Sequence, residues 1–205
     1  LSDAARRILV IKLGALGDVV QATGPMAAIR AYHKDAHITL LTGPAYREFL
    51  EASNWFDDIW VDKRPGWRNW REWFWLRHRL KRGRFDRVYD LQTSDRSSSY
   101  FHIMLPGHRP EWSGIARFAS HPHANKKRDD MHTVERQAEQ LAMAGLNDVP
   151  APSLDWVAAD ISRFGIEKPY VLLVPGGSAH RPEKRWPVGS YTELARRLEA
   201  KGVTP

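Results

Sequence analysis

The stretch RILVIKLGALGDVVQATGPMAAIRAYH, Arg7 to His33, limits the possible folds more than any other part of this 205-residue chain. Ile8, Leu9, Val10 and Ile11 form a short apolar run rich in β-branched side chains, the pattern of a central strand covered on both faces of a parallel sheet. Gly14 and Gly17 let the backbone turn sharply and leave room for a ligand beside the main chain. Beyond Asp18 the apolar positions Val19, Val20, Ala22, Met26, Ala27, Ile29 and Ala31 fall at helical spacing. Ligands of open α/β sheets sit outside the carboxyl ends of the strands, so chemistry is expected at this loop. The loop is neither G-x-G-x-x-G nor a P-loop, and by itself is a weak signature. Asp18 has two local readings. It caps a helix, with Gln21 completing a box-like arrangement, or it is a catalytic carboxylate at the end of a strand.

The alternation continues. HITLL (37–41), DIWV (58–61) and RVYDL (87–91) read as strands, with helices over 45–52 and from Ser97. This is βαβ logic, with right-handed crossovers. Residues 105–128 hold Pro106, Gly107, Pro110, Gly114 and Pro122 and read as a long loop. Its His121-x-His123 pair has no acidic or cysteine partner at a ligand spacing, which makes a poor metal signal. Met131 to Gly145 reads as a helix, with His132 and Arg136 one turn apart. A boundary is expected near 150–160, giving an N-terminal domain over 1–155 and the beginning of a second over 156–205. There YVLLV (170–174) reads as another buried strand. It leads into Pro175-Gly176-Gly177-Ser178, then Lys184-Arg185-Trp186-Pro187, then a helix from Ser190 to Ala200. Glycine backbone, a hydroxyl and a lysine ahead of a helix suit a diphosphate.

The chain has no cysteine, which excludes disulfides and thiolate metal sites and agrees with a reduced, cytoplasmic setting. No apolar run approaches membrane-spanning length, and LSDAARR lacks the apolar core of a signal peptide. A net charge of +7 favours an anionic partner: nucleic acid, acidic lipid or phosphorylated glycan. Much of that charge lies in KRPGWRNWREWFWLRHRLKRGRFD, residues 63–86. On a helix, Trp70, Trp73, Phe74, Leu76 and Leu80 share a core-facing side. Trp75 falls opposite, among Arg68, Arg71, Arg79 and Arg82. Such a tryptophan suits the interface of an anionic membrane, local stacking on arginine, or single-stranded nucleic acid.

Four segments, taken in order, resemble the lipopolysaccharide heptosyltransferases, inverting glycosyltransferases of family 9. They are IKLGALGDVVQATGPMAAIR, FDRVYDLQTSDRSS, MHTVERQAEQLAMAG and LLVPGGSAHRPEKRWPVGSYTELARRL. The resemblance implies an α/β fold of GT-B type, with two Rossmann-like domains facing each other across a cleft. It implies transfer of a heptose, or a similar sugar, from a nucleotide-diphosphate donor such as ADP-heptose to the lipopolysaccharide core. Asp18 would be the general base, and Gly14, Gly17 and Arg96 would lie on the acceptor side. Gly176, Gly177, Ser178 and Lys184 would hold the donor diphosphate, with Arg185 beside them. The implied partners are the nucleotide sugar and a lipid-linked anionic glycan, with no nucleic acid. The implied location is cytoplasmic. The placement of Trp75 among Arg68, Arg71, Arg79 and Arg82, more than the resemblance, makes these the expected docking residues of a protein peripheral on the inner membrane.

No cofactor or metal is expected. The sequence has no D-x-D, and Asp57-Asp58 and Asp129-Asp130 are adjacent pairs that project differently. Family members are longer and carry a later Asp-Ser/Thr-Gly motif, so the 205-residue chain is expected to be truncated and inactive alone. The residues leave two other classes open: a non-catalytic sugar-nucleotide-binding relative, and a basic nucleic-acid-binding α/β module.

Overall fold

Six strands make one parallel sheet: β1 (Arg7–Lys12), β2 (His37–Thr42), β3 (Asp58–Val61), β4 (Arg87–Asp90), β5 (Glu111–Gly114) and the two-residue β6 (His121–Pro122). Their order is β3-β2-β1-β4-β5-β6, and every pairing is parallel. The structure, a computed structural model, describes residues 6–66, 68–166, 169–177 and 182–205. The helices are α1 (Leu16–Gln21), α2 (Thr23–Tyr32), α3 (Arg47–Glu51), α4 (Trp70–Arg82), α5 (Asp95–Met104), α6 (Thr133–Ala142) and α7 (Val188–Glu199). The fold is the α/β, Rossmann-like class expected from the sequence.

The continuous apolar run in β1 follows from its central place. Successive residues of a strand point to opposite faces. Ile8 and Val10 pack with Val19, Met26, Ile29 and Leu141 on one side of the sheet. Leu9 and Ile11 pack with Leu80, Tyr100, Phe101 and Trp112 on the other. Both faces are covered, so no polar residue alternates into the run. The strand order reverses between β1 and β4, which makes their carboxyl ends the expected crevice of such a sheet.

Three expectations from the sequence need correction. Residues 105–128 are not all loop, for they contain β5 and β6. EWSG shows no apolar alternation. It is a strand because Trp112 is fully buried against Phe101 (5.3 Å between ring centroids) and the backbone pairs with β4. In α4 only Trp73, Leu76 and Leu80 turn inward, while Trp70 is 69% and Phe74 57% exposed. The stripe that meets the core is a narrow i, i+3, i+7 line, and Trp70 and Phe74 lie beyond its edge.

The third correction concerns the end of the chain. The chain divides into two compact units, residues 1–157 and 158–205. In the second, the run 170–174 forms a single bridge, Tyr170 to Thr204, rather than a buried strand, and Leu172 is 78% exposed. Among the described residues this unit offers α7 and one bridging partner, too little to cover two faces of a strand. Tyr191 on α7 donates its hydroxyl to the Val174 carbonyl at 3.0 Å.

Candidate functional site

The reversal point is built on a buried polar cluster. Lys12 ends β1 and is 3% exposed, and its Nζ donates to the Leu91 carbonyl at 3.2 Å. Asp90 ends β4 fully buried, and its Oδ1 accepts from the backbone N–H groups of Gln92 (3.1 Å) and Thr93 (3.0 Å). These bonds turn the chain out of the sheet toward α5. From α6, Gln137 donates to the Leu91 carbonyl (3.3 Å) and Gln140 to the Asp90 carbonyl (3.0 Å). Leu13 N–H donates to Gln92 Oε1 at 2.9 Å, which ties the glycine loop to the turn after β4.

Burial pushes the Asp90 carboxyl up to about 6, although Ser97, the Thr93 and Gln92 amides and Lys12 favour its charged form. Burial pulls Lys12 down to about 8, against the attraction of Asp18 and Asp90, and Arg136 adds repulsion. Lys12 is the residue that sequence reasoning passed over. The available signal was a lysine closing an otherwise apolar strand, ILVIK, directly before the loop.

Asp18 is exposed at the third position of α1, and its Oδ2 accepts from the Ala15 N–H at 3.3 Å. It is therefore not the N-cap itself, and Gln21 has no part in the box. The side chain reaches back to the capping residue's backbone and keeps its other oxygen for solvent or substrate. Gly14 has φ +130°, and a Cβ there would stand 2.6 Å from the Tyr46 ring. A Cβ on Gly17 would meet nothing within 4 Å, so the loop is open beside Asp18.

Arg96 is already engaged. Its Nε donates to the Tyr100 hydroxyl (2.8 Å) and lies 3.5 Å from Asp62 Oδ2, and its Nη1 donates to the Pro65 carbonyl (3.2 Å). The guanidinium also stacks 5.1 Å from the Trp73 ring. Its Nη2 is buried without a partner among the described residues. Tyr100 donates to Asp62, and burial together with that carboxylate holds its hydroxyl well above the ordinary value. Arg64 donates its backbone N–H to Asp62 Oδ1 (2.7 Å) and its Nη2 to the Leu13 carbonyl. Residues 62–66 are thereby held between the glycine loop and α5.

In the second unit, Gly176 and Gly177 are exposed, and Arg185 donates to the Gly177 carbonyl at 3.0 Å. Lys184 closes a short 3-10 turn, Pro182–Lys184, and is also exposed. Ser178 lies outside the described residues. Trp75, Arg71 and Arg82 project from α4 into solvent, Arg79 lies exposed but stacked over Trp60, and Arg68 precedes that helix. The His121-x-His123 pair is structural: His123 is buried on Glu139 (2.9 Å) and His121 approaches Glu111 (3.7 Å). Among the described residues, no group of three or more His, Asp or Glu could hold a metal ion, and no helix is long and apolar enough to cross a membrane.

The sequence profile of glycosyltransferase family 9 (heptosyltransferase) matches residues 73–204. Lipopolysaccharide heptosyltransferase 2 of Escherichia coli K12 is 28% identical over 152 residues, which cover 62% of this chain and 41% of that protein. The lipopolysaccharide core heptosyltransferase OpsX of Haemophilus influenzae is 26% identical over 216 residues, covering 95% and 57%. Two solved structures share the fold. The family 9 glycosyl transferase of Veillonella parvula has a TM-score of 0.76 at 22% identity, over 98% of this chain and 61% of that one. The E. coli ADP-heptose heptosyltransferase II has 0.67 at 19%, over 95% and 62%. The chain thus spans about half the length of the curated relatives it matches. A profile match over well over half of its residues makes this chain a member of glycosyltransferase family 9.

Proposed function

We propose that this chain carries the acceptor-side domain and the first part of the donor-binding domain of an inverting heptosyltransferase that extends the lipopolysaccharide core from a nucleotide-diphosphate heptose such as ADP-heptose. Family membership supports the reaction class, and the names of the relatives support the donor and acceptor. The observation that carries the reading is the placement of Asp18. It stands exposed in the first turn of α1, after the central strand, beside the open face of Gly17.

In this reading Asp18 takes the proton of the acceptor hydroxyl as that oxygen bonds to the anomeric carbon. The bond from the anomeric carbon to the diphosphate breaks on the opposite side, so the configuration inverts. The departing diphosphate carries the electron pair, and Lys184, Ser178 and the Gly176 and Gly177 amides stabilise the charge that builds on it. No metal or cofactor enters the scheme. Arg96 and Asp62 shape the acceptor side by holding residues 62–66 in place.

In the intact enzyme, Asp18→Asn keeps the exposed position and the Ala15 contact but cannot accept the proton. Turnover is expected to fall by roughly 10²–10⁴-fold, the usual worth of a general base, with nucleoside-diphosphate affinity unchanged. Sugar transfer at near wild-type rate would leave Asp18 with the cap alone.

A further inference from the structure

We propose that the outer face of α4 is a docking surface for an anionic lipid bilayer. The inference does not depend on the catalytic reading, because it rests on the composition and exposure of this one helix.

Residues 63–84 hold nine Lys and Arg against one acid, Glu72. That is a net +8 on a segment of a chain whose whole net charge is +7. The excess positive charge is therefore concentrated in this one segment. Within it, Trp70, Phe74 and Trp75 are 69%, 57% and 66% exposed. At 100° per residue they span an arc of about 140° that also carries Arg71, His78 and Arg82 and no acid. Three large rings in water are unfavourable unless an interface receives them. Among the described residues, Arg71, Arg79 and Arg82 have no carboxylate at ion-pair distance. Arg71 stacks on Trp70 (5.5 Å) and Arg79 on Trp60 (4.3 Å).

Beside the arc, with Trp75 on its rim, runs a groove of about 570 Å³ between α4 and the edge strand β3. In its lining Arg7, Lys63, Arg79 and Arg82 outnumber the acids Asp62 and Glu72. Aromatic rings at the level of the headgroups with arginines among them are the equipment of an interfacial helix. The groove gives anionic headgroups a seat flanked by cations. The shape favours a bilayer over a nucleic-acid strand. The rings stand on the convex outside of a helix, where they can enter a plane, whereas single strands are held along a concave track of stacked bases.

The test is co-sedimentation of the 205-residue chain with vesicles of phosphatidylcholine alone or mixed with phosphatidylglycerol, at low and moderate salt. Binding is expected to require phosphatidylglycerol and to weaken with salt. Trp70→Ser with Trp75→Ser, and separately Arg71→Gln with Arg82→Gln, should each lower the partition coefficient by roughly tenfold or more. Leu172→Ser, at an exposed apolar residue elsewhere, should leave it unchanged. The arginine pair removes no core contact, so it reads the surface even if the ring substitutions disturb folding. Equal partition by wild type and both double variants would overturn the proposal. So would indifference to phosphatidylglycerol, or capture by single-stranded oligothymidylate with no vesicle binding.

Discussion

Two short apolar runs, each followed by two glycines, end up in opposite environments. Ile8 to Ile11 has no exposed surface, while in the 170–174 run Leu172 and Val174 are mostly in water. Their compositions barely differ. What differs is the company each keeps. β1 has β2 on one side, β4 on the other, and helices over both faces. Among the described residues, the later run has a bridge to Thr204 and a hydrogen bond from Tyr191 of α7. An apolar run therefore states a demand for neighbours, and the neighbours decide whether a strand forms. The glycine loops that follow differ in the same way. Gly14 is pressed against Tyr46, whereas a Cβ on Gly176 would meet nothing within 4 Å.

The sharpest way to break this contrast is to remove methyl groups from both runs. Ile11→Ala should destabilise the 205-residue chain by about 2–5 kcal/mol, because the side chain is fully enclosed. Leu172→Ala should change stability by less than about 0.5 kcal/mol. Urea denaturation followed by tryptophan fluorescence reads both, and similar losses at the two positions would erase the distinction.

A smaller effect separates the glycines within the first loop. Gly14→Ala places a Cβ at 2.6 Å from Tyr46 on a backbone with φ +130°, and about 1–3 kcal/mol should be lost. Gly17→Ala should be neutral, or should stabilise by up to about 1 kcal/mol, because its surroundings are open and it lies in a helix. A comparable loss at Gly17 would mean that the loop is not open there.

A third effect is a pH dependence confined to the sheet. Folding raises the Asp90 carboxyl from 3.8 to about 6, so the folded chain holds more protons between those values. The stability linked to Asp90 is full below pH 4 and is lost as the pH rises through 6, by about 3 kcal/mol. Folding lowers Lys12 from 10.5 to about 8, so its penalty is full below pH 8 and is relieved as the pH rises toward 10.5. Stability should therefore dip between pH 6 and 8, apart from the contributions of other groups. Asp90→Asn, which keeps the Oδ1 acceptor, should abolish the descending limb. Denaturation midpoints across this range check the sign.

β1 to β4 were legible because each is an apolar run with a turn signal after it. β5 was not, because one buried tryptophan in EWSG does the work that alternation does elsewhere. The candidate base Asp18 could be named from its place after the strand, but its position as the third residue of α1 could not, since Ala15 is an unusual cap. Lys12 escaped because the burial of a lysine depends on partners some eighty residues away, at Asp90 and Leu91. The outward turn of Trp70 and Phe74 escaped because a helical wheel ranks angles but does not know how wide a stripe the core will accept.

The polar cluster at the reversal point also limits how this chain can vary over descent. Lys12, Asp90, Gln137 and Gln140 come from three elements and share two carbonyls between them. Lose Lys12 alone, and the Leu91 carbonyl loses a donor while buried Asp90 loses a favourable charge; lose Asp90 alone, and the Gln92 and Thr93 amides lose their acceptor. Either change is a deep valley between two viable sequences. Positions 12 and 90 should therefore behave in an alignment as a single two-letter character, and the glutamines on α6 should vary with them.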